Sequence, residues 1–302
     1  MAPLQELRML IARHAGGARP ATVHTHIPGL IVSASYARTV PVHHVFEPVF
    51  VLVAQGSKQI LLGGRRVRYG AGKYLVVTVD LPISSHVEAA SAERPCLSVG
   101  LTINPASVAS LLLQVAESLP EVADGSLAGL GVSNATPELI DAVLRLVRLL
   151  DRTKDAQVLA SSVEREILWR LLTGPQGAMV RQIGLADSRL TQIGHTIRWI
   201  RANYAEKLRI DTLSAMAGVS VSTFHRQFRA ITTMTPIQYL KQVRLQEARI
   251  RLLSRSVDVA GVGFSVGYNS PSQFSREYSR LYGSSPGRDA VRLRNLADRR
   301  EL

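Results

Sequence analysis

The sequence predicts an α+β chain in two parts. A small antiparallel β-barrel with a helical segment behind it precedes an all-helical region carrying two helix-turn-helix units. Three observations predict this. A nine-residue segment occurs twice, as SVSTFHRQF (220–228) and SPSQFSREY (270–278). Several short apolar runs punctuated by turn residues crowd residues 20 to 103, as strands of a small barrel do. The charge is also uneven: the 302 residues hold 36 Lys and Arg against 23 Asp and Glu, net +13, of which residues 191–302 contribute 18 against 8, net +10. At this length, two domains are the natural division. The expected limits are 1–185 for the barrel and its helices (136–172 a helical pair, 173–190 a linker) and 191–302 for the helix-turn-helix region.

Taken in order, Leu4, Leu7, Leu10 and Ile11 fit one face of a short amphipathic helix, not the layout of a signal peptide. Val49–Gly56 reads as a strand. Lys58–Tyr69 reads as a hairpin turning at Gly63-Gly64, where a two-residue loop needs positive φ. Leu75–Val79 and Leu97–Ile103 are further strands. Thr136 then caps a helix with Pro137 at its first position and an apolar stripe of Ile140, Val143, Leu144, Val147 and Leu150. A second helix, Gln157–Leu172, repeats apolar residues at Leu159, Val163, Ile167 and Leu171. This pair suits either packing on the barrel or an antiparallel contact across a dimer. Thr173–Leu190, rich in Gly and small or polar residues, reads as the linker.

The repeated segment has a local physical reading. Asp211 caps a short helix, Thr212–Ala217, and Gly218-Val-Ser220 turns the chain. Ser220 then caps a second helix, in which Phe224 and Phe228 face inward while Ser222, His225, Arg226 and Arg229 face outward. In the second copy Asp258 caps Val259–Val266, Gly267-Tyr-Asn269 turns, and Ser270 caps a helix with Pro271 first. Phe274, Tyr278 and Leu281 face inward there, and Ser272, Ser275, Arg276 and Ser279 outward. Between the copies, Thr235 and Pro236 start a spacer helix running to about Ser254, with Leu240, Val243, Ile250 and Leu253 on one side. Short polar side chains beside one arginine suit a helix lying in a major groove. A single copy would be weak grounds for DNA binding; two in register are strong. The run Arg288, Arg292, Arg294, Arg299 and Arg300 reads as a solvated helix or tail.

Residues 191 to 289, and above all VGYNSPSQFSREYSRLYGSSP (266–286), resemble the DNA-binding domain of the AraC/XylS family of bacterial transcription regulators. The resemblance implies that each second helix reads one major groove, with Ser222, His225 and Arg226, then Ser272, Gln273 and Arg276, at the base-facing positions. Two departures stand out: Thr233 replaces a common glycine, and Gly261 and Gly263 replace Glu and Ala. Two helical glycines cost about 1 kcal/mol each relative to alanine, so the second unit is expected to be the softer one. In the first half PGL (28–30), EPVFVLVAQGSKQILLGG (47–64) and YLVVTVDLP (74–82) resemble the cupin-like effector domain of one AraC-type subfamily.

The resemblance implies a sequence-specific regulator, not an enzyme, controlled by a small molecule in the barrel. Candidate effector-binding residues are the polar ones on otherwise apolar strands: His24, His26, Tyr36, Arg38, His44, Lys73, Tyr74 and His86. A one-residue slip in register reverses every such assignment. Two competing readings are a metal-dependent cupin enzyme fused to a DNA-binding module and a ligand-independent regulator with a scaffold barrel. His24-Thr-His26 has cupin metal-ligand spacing, with His43, His44, Glu47 and His86 as further donors. However, no Glu follows at the right distance, and adjacent His43 and His44 point to opposite faces of a strand. A structural or surface role is expected for these histidines, and no cofactor or metal. The expected partners are double-stranded operator DNA, a small effector and a second copy of the chain, with RNA polymerase a further candidate. No run of 18 apolar residues suggests a membrane span, and a lone cysteine, Cys96, suits a reducing cytoplasm.

Overall fold

The computed structural model describes residues 3–16, 21–115, 128–186, 188–253 and 258–298. The chain divides into two compact units: Met1–Gly194 together with Arg226–Thr233, and His195–His225 together with Met234–Leu302. The division falls inside a helix, Arg189–Ala202, just beyond the expected linker, and it splits the second helix of the first repeat between the units.

The first unit opens with helix α1 (Pro3–His14), which buries Leu7 and Ile11. Ten strands follow: β1 (Ala21–His24), β2 (Leu30–Ser35), β3 (Val42–Phe46), β4 (Val49–Gln55), β5 (Ser57–Leu62), β6 (Arg65–Gly70), β7 (Lys73–Val77), β8 (Leu81–Ala89), β9 (Cys96–Thr102) and β10 (Leu130–Asn134). They pair into two sheets, in the orders β1-β2-β9-β4-β7-β10 and β3-β8-β5-β6. The expected barrel is thus two antiparallel sheets and not one closed ladder. The hairpin forms as the glycines predict: Leu62 pairs with Arg65, and Gly63 and Gly64 both hold positive φ. The strand at Leu130–Asn134 lies beyond the expected β-region, because it adds to the edge at β7 after a helix, α2 (Pro105–Val115), has intervened.

Thr136 caps helix α3 (Pro137–Arg148), accepting from the amide of Leu139, and a single 3-10 turn, Leu149–Asp151, leads into α4 (Thr153–Thr173). The predicted stripe on α3 is buried at Val143, Leu144 and Val147. That on α4 holds only at its C-terminal half: Ile167 and Leu171 are buried while Leu159 is 48% exposed. The buried residues of the first two turns of α4 are Ala156 and Ala160, so the packed face runs through alanines. The segment read as a linker contains a helix, α5 (Gly177–Gly184), which packs on α2 and α4 and buries Met179, Val180 and Ile183. Its glycines are contact points: a side chain at Gly184 would meet the backbone of Ala109 at 2.7 Å.

The second unit begins in α6 (Arg189–Ala202). Helix α7 is Ile210–Met216, with Arg209 and not Asp211 at its N-cap position. Helix α8 is Val221–Thr232, α9 is Pro236–Arg251, α10 is Val259–Ser265, α11 is Pro271–Tyr282 and α12 is Pro286–Asp298. Thr235 and Gln238 complete a reciprocal capping box at the start of α9. The predicted side of α9 is buried at Leu240 and Val243, whereas Ile250 and Leu253 are exposed; Leu245, Ala248 and Leu252 take the core positions. Ser254, Arg299 and Arg300 lie outside the described residues. Around α9, Leu245, Ala248, Leu252, Val266, Tyr268, Phe274, Tyr278 and Ala290 form one core. Among the described residues no helix is long and apolar enough to cross a membrane.

Candidate nucleic-acid interface and barrel cavity

Each repeat builds an outward helix face in the same way. In the first, the Ser220 hydroxyl accepts from the amide of Thr223, starting α8, and Phe224 and Phe228 are fully buried. That leaves Ser222, His225, Arg226 and Arg229 exposed together, at the spacing of one helical face. In the second, Asp258 accepts from the amides of Ala260 and Gly261, and Ser270 from that of Gln273. Phe274 and Tyr278 are buried, Leu281 is half-buried, and Ser272 and Arg276 are exposed. Arg226, Arg229 and Arg276 make no hydrogen bond or ion pair among the described residues, so their guanidinium donors are unspent. Gln273 differs: it is half-buried and its amide donates to Glu277 at 3.2 Å. Glu277 also receives Lys241 at 2.6 Å and the Tyr268 hydroxyl at 2.9 Å. These bonds, opposed by the cost of burial, hold its carboxyl below the usual range.

Behind α11 sits a buried ionic cluster. Asp289 is fully buried and accepts from Arg249 and from the Tyr278 hydroxyl, each at 2.9 Å, and from Arg292 at 2.8 Å. The Arg249 guanidinium lies 4.5 Å from the centre of the Tyr282 ring. Arg244 donates from all three of its guanidinium nitrogens inside the unit, to the carbonyls of Tyr204, Gly267 and Glu206 at 2.7 to 2.8 Å. It ties the spacer helix to the turn before α11. Pattern along the chain does not reveal this, because an arginine on a long helix reads as solvated.

The two sheets of the first unit flank a half-open cavity of about 590 Å³. Register decides what lines it. Thr22 pairs with Ser33 and Ser33 with Ser98, so the three share one face and one level of the sheet. His24, Ile31, Gly100 and Val51 make the next level, and Thr102 and Val49 the one beyond. From the second sheet come Lys58, Ser85, His44 and Phe46.

Of the eight candidate effector residues, His24 and His44 line this cavity and the others do not. His26 lines a separate groove of about 530 Å³ beside Ala156, Ala160 and Glu164 of α4. Arg38 and Lys73 are exposed, and Tyr36 is half-buried. Tyr74 is buried against Phe50, with ring centres 5.6 Å apart. His86 neighbours Ser85 on β8 and so points to the other side of the sheet. His43 and His44 likewise pair with Ser84 and Ile83 on opposite faces. Among the described residues no three His, Cys, Asp or Glu side chains stand close enough to hold a metal ion.

The cavity residue that the sequence reading missed is Lys58. Its ammonium donates to the Ser98 hydroxyl at 2.6 Å and has no carboxylate partner among the described residues. Burial pushes its pKa below the ordinary lysine value, and burial with the nearby Lys58 charge outweighs a backbone bond to lower that of His44. Alternation was the available signal: Lys58, Ile60 and Leu62 share a face, and the last two are buried. Cys96 is buried, and burial raises its thiol pKa, which leaves it a weak nucleophile.

Comparison with known proteins adds the following. Residues 26–179 match the family described as AraC-type transcriptional regulator N-terminus, and residues 213–290 match a helix-turn-helix domain family. The HTH-type transcriptional activator RhaS of Klebsiella pneumoniae is 26% identical over 262 residues, 82% of this chain and 88% of its own length. YdeC of Bacillus subtilis, an uncharacterized HTH-type transcriptional regulator, is 21% identical over 252 residues, covering 82% of this chain and 84% of its own length. Among solved structures, apo ToxT of Vibrio cholerae, in a single-substitution form, superposes with a TM-score of 0.56 at 11% identity over 89% of this chain and 99% of its own. Wild-type ToxT with an unsaturated fatty acid bound gives 0.54 at 9% identity, over 89% and 97%. At these identities the likeness is one of fold.

Proposed function

The chain belongs to the AraC-type transcriptional regulators, and from that premise we propose that it reads operator DNA through the outward faces of α8 and α11 under control of a small molecule held between the two sheets. The observation that carries the reading is the repeated face, Ser222 with Arg226 and Ser272 with Arg276, each presenting an unpaired arginine beside a short hydroxyl. Arginine bonds guanine bidentately, and serine reaches either kind of base edge. His225 and Arg229 extend the first face, and Gln273 serves the second by holding Glu277 rather than by reading a base. The DNA-binding part corresponds to residues 191–302 and the effector part to residues 1–185.

The cavity suits an effector site: its volume lies in the range of small-molecule pockets, and charged and hydroxyl groups converge on it. RhaS is an activator and one ToxT structure holds a fatty acid, so a bound small molecule has a precedent in this fold. The chain acts in the cytoplasm, as a homodimer in contact with RNA polymerase, and without catalysis of its own. The outer face of α4, where Val158 and Leu159 are exposed, serves the pairing.

Footprinting of the full-length protein on genomic DNA tests the proposal. Each chain should protect two segments one helical turn apart, about 34 Å, and a ligand that fills the cavity should shift operator affinity. Protection of a single groove segment would remove the second repeat as a reader. Random protection would remove the function.

A further inference from the structure

We infer that the cavity between the sheets takes a small organic acid, its carboxylate held by Lys58, Ser98 and the Thr22–Ser33 hydroxyl pair and its apolar body lying against Ile31, Val49 and Val51. This deepens the effector reading above and rests on it only for its regulatory meaning. The cavity is polarised. At one level of the first sheet stand three hydroxyls, with Thr22 Oγ1 and Ser33 Oγ 3.2 Å apart and Ser98 Oγ receiving the Lys58 ammonium at 2.6 Å. The levels beyond are mainly aliphatic, with Gly100 leaving space between Ile31 and Val51.

Lys58 is what selects the class. An ammonium has three donors, and among the described residues this one is supplied with a single acceptor, a neutral hydroxyl. Glu47 also lines the cavity but is exposed. A buried cation without a counter-ion is costly even beside hydroxyls. A ligand carboxylate would both neutralise it and accept its remaining protons, in charge-assisted bonds about twice as strong as neutral ones. His44 faces the same space and, held largely neutral, adds no competing charge. A neutral sugar or alcohol would leave the ammonium uncompensated.

The test is calorimetric titration of the full-length protein with octanoate, 1-octanol and octanal at neutral pH. Octanoate should bind about tenfold or more tighter than 1-octanol, as one charge-assisted contact predicts. Lys58→Met should abolish that preference by weakening octanoate about tenfold or more. Ser98→Ala should weaken octanoate severalfold, and it keeps the test decisive if Lys58→Met does not fold. Octanoate that fails to bind, or a preference that survives in Lys58→Met, overturns the inference. So does octanal alone being retained, trapped on Lys58 by borohydride as a reduced imine. Operator affinity measured alongside separates the two readings. Lys58-dependent octanoate binding that leaves operator affinity unchanged removes the effector role and keeps the acid site. A neutral ligand that acts on the operator while octanoate does not bind does the reverse.

Discussion

At the scale of single residues, the proposed DNA reading and the stability of the fold rest on different arginines. Arg226 and Arg276 are exposed and make no hydrogen bond or ion pair among the described residues, so replacing either with alanine should leave the melting temperature unchanged. Each replacement should cost about 1–3 kcal/mol of operator affinity and relax preference at one base pair; binding titrations against single-base operator variants check this. Arg249 and Arg292 instead compensate Asp289, whose carboxylate is fully buried. Asp289→Ala leaves Arg249 facing a void with its charge unpaired and should lower unfolding free energy by about 3–5 kcal/mol in a denaturant titration. Lys58 gives a pH signature. Burial depresses its folded pKa, so the folded state sheds that proton before the unfolded chain does. Folding stability then rises with pH from the folded pKa up to the unfolded value, about 10.4. Lys58→Met should therefore be more stable than the native chain at pH 7, with the gap closing toward pH 10. The Lys58 charge itself acts on His44 and Cys96, so the difference between the two curves reports Lys58 together with its effect on these neighbours.

At the scale of elements, the helix starts were legible in the sequence because caps are local chemistry. Thr136, Ser220, Thr235, Asp258 and Ser270 each bond the amide that the pattern assigns to them. Interior faces were less legible. The turn after α4, α5 itself and the alanine face of α4 depend on close approach, which composition presents as looseness. The glycines of the second repeat show the same limit. Propensity alone marks Gly263 as a weakness in α10, yet a side chain there would meet the Phe274 ring at 3.0 Å. The glycine is what lets α10 close on α11. Gly263→Ala should therefore lower the melting temperature although alanine gains about 1 kcal/mol in helix propensity. Gly267 is constrained twice: it holds φ at 91°, and a Cβ would stand 2.4 Å from the carbonyl of Ala205. Gly267→Ala should cost more than the roughly 1–2 kcal/mol of a left-handed backbone alone. A calorimetric melt in which either variant gains stability would contradict this packing.

At the scale of the whole chain, the sequence carried the repeat and the charge asymmetry because both are patterns along one dimension. The cavity was hidden because its lining is drawn from seven strands, and membership depends on register. Lys58 and Ser98 are forty residues apart and meet only through the pairing of β9 and β5 with other strands. The duplication itself has a further consequence. Under the proposed reading the chain is a bivalent ligand for DNA, its two copies joined through the capped spacer helix α9. Once one copy is seated, the other meets its site at a high effective concentration, and two individually weak contacts combine into a strong one without any new bond. That gain is lost when the geometry forbids both contacts at once. Inserting about five base pairs, half a turn, between the two half-sites should then weaken binding as much as erasing one half-site, although every base the protein reads is still present.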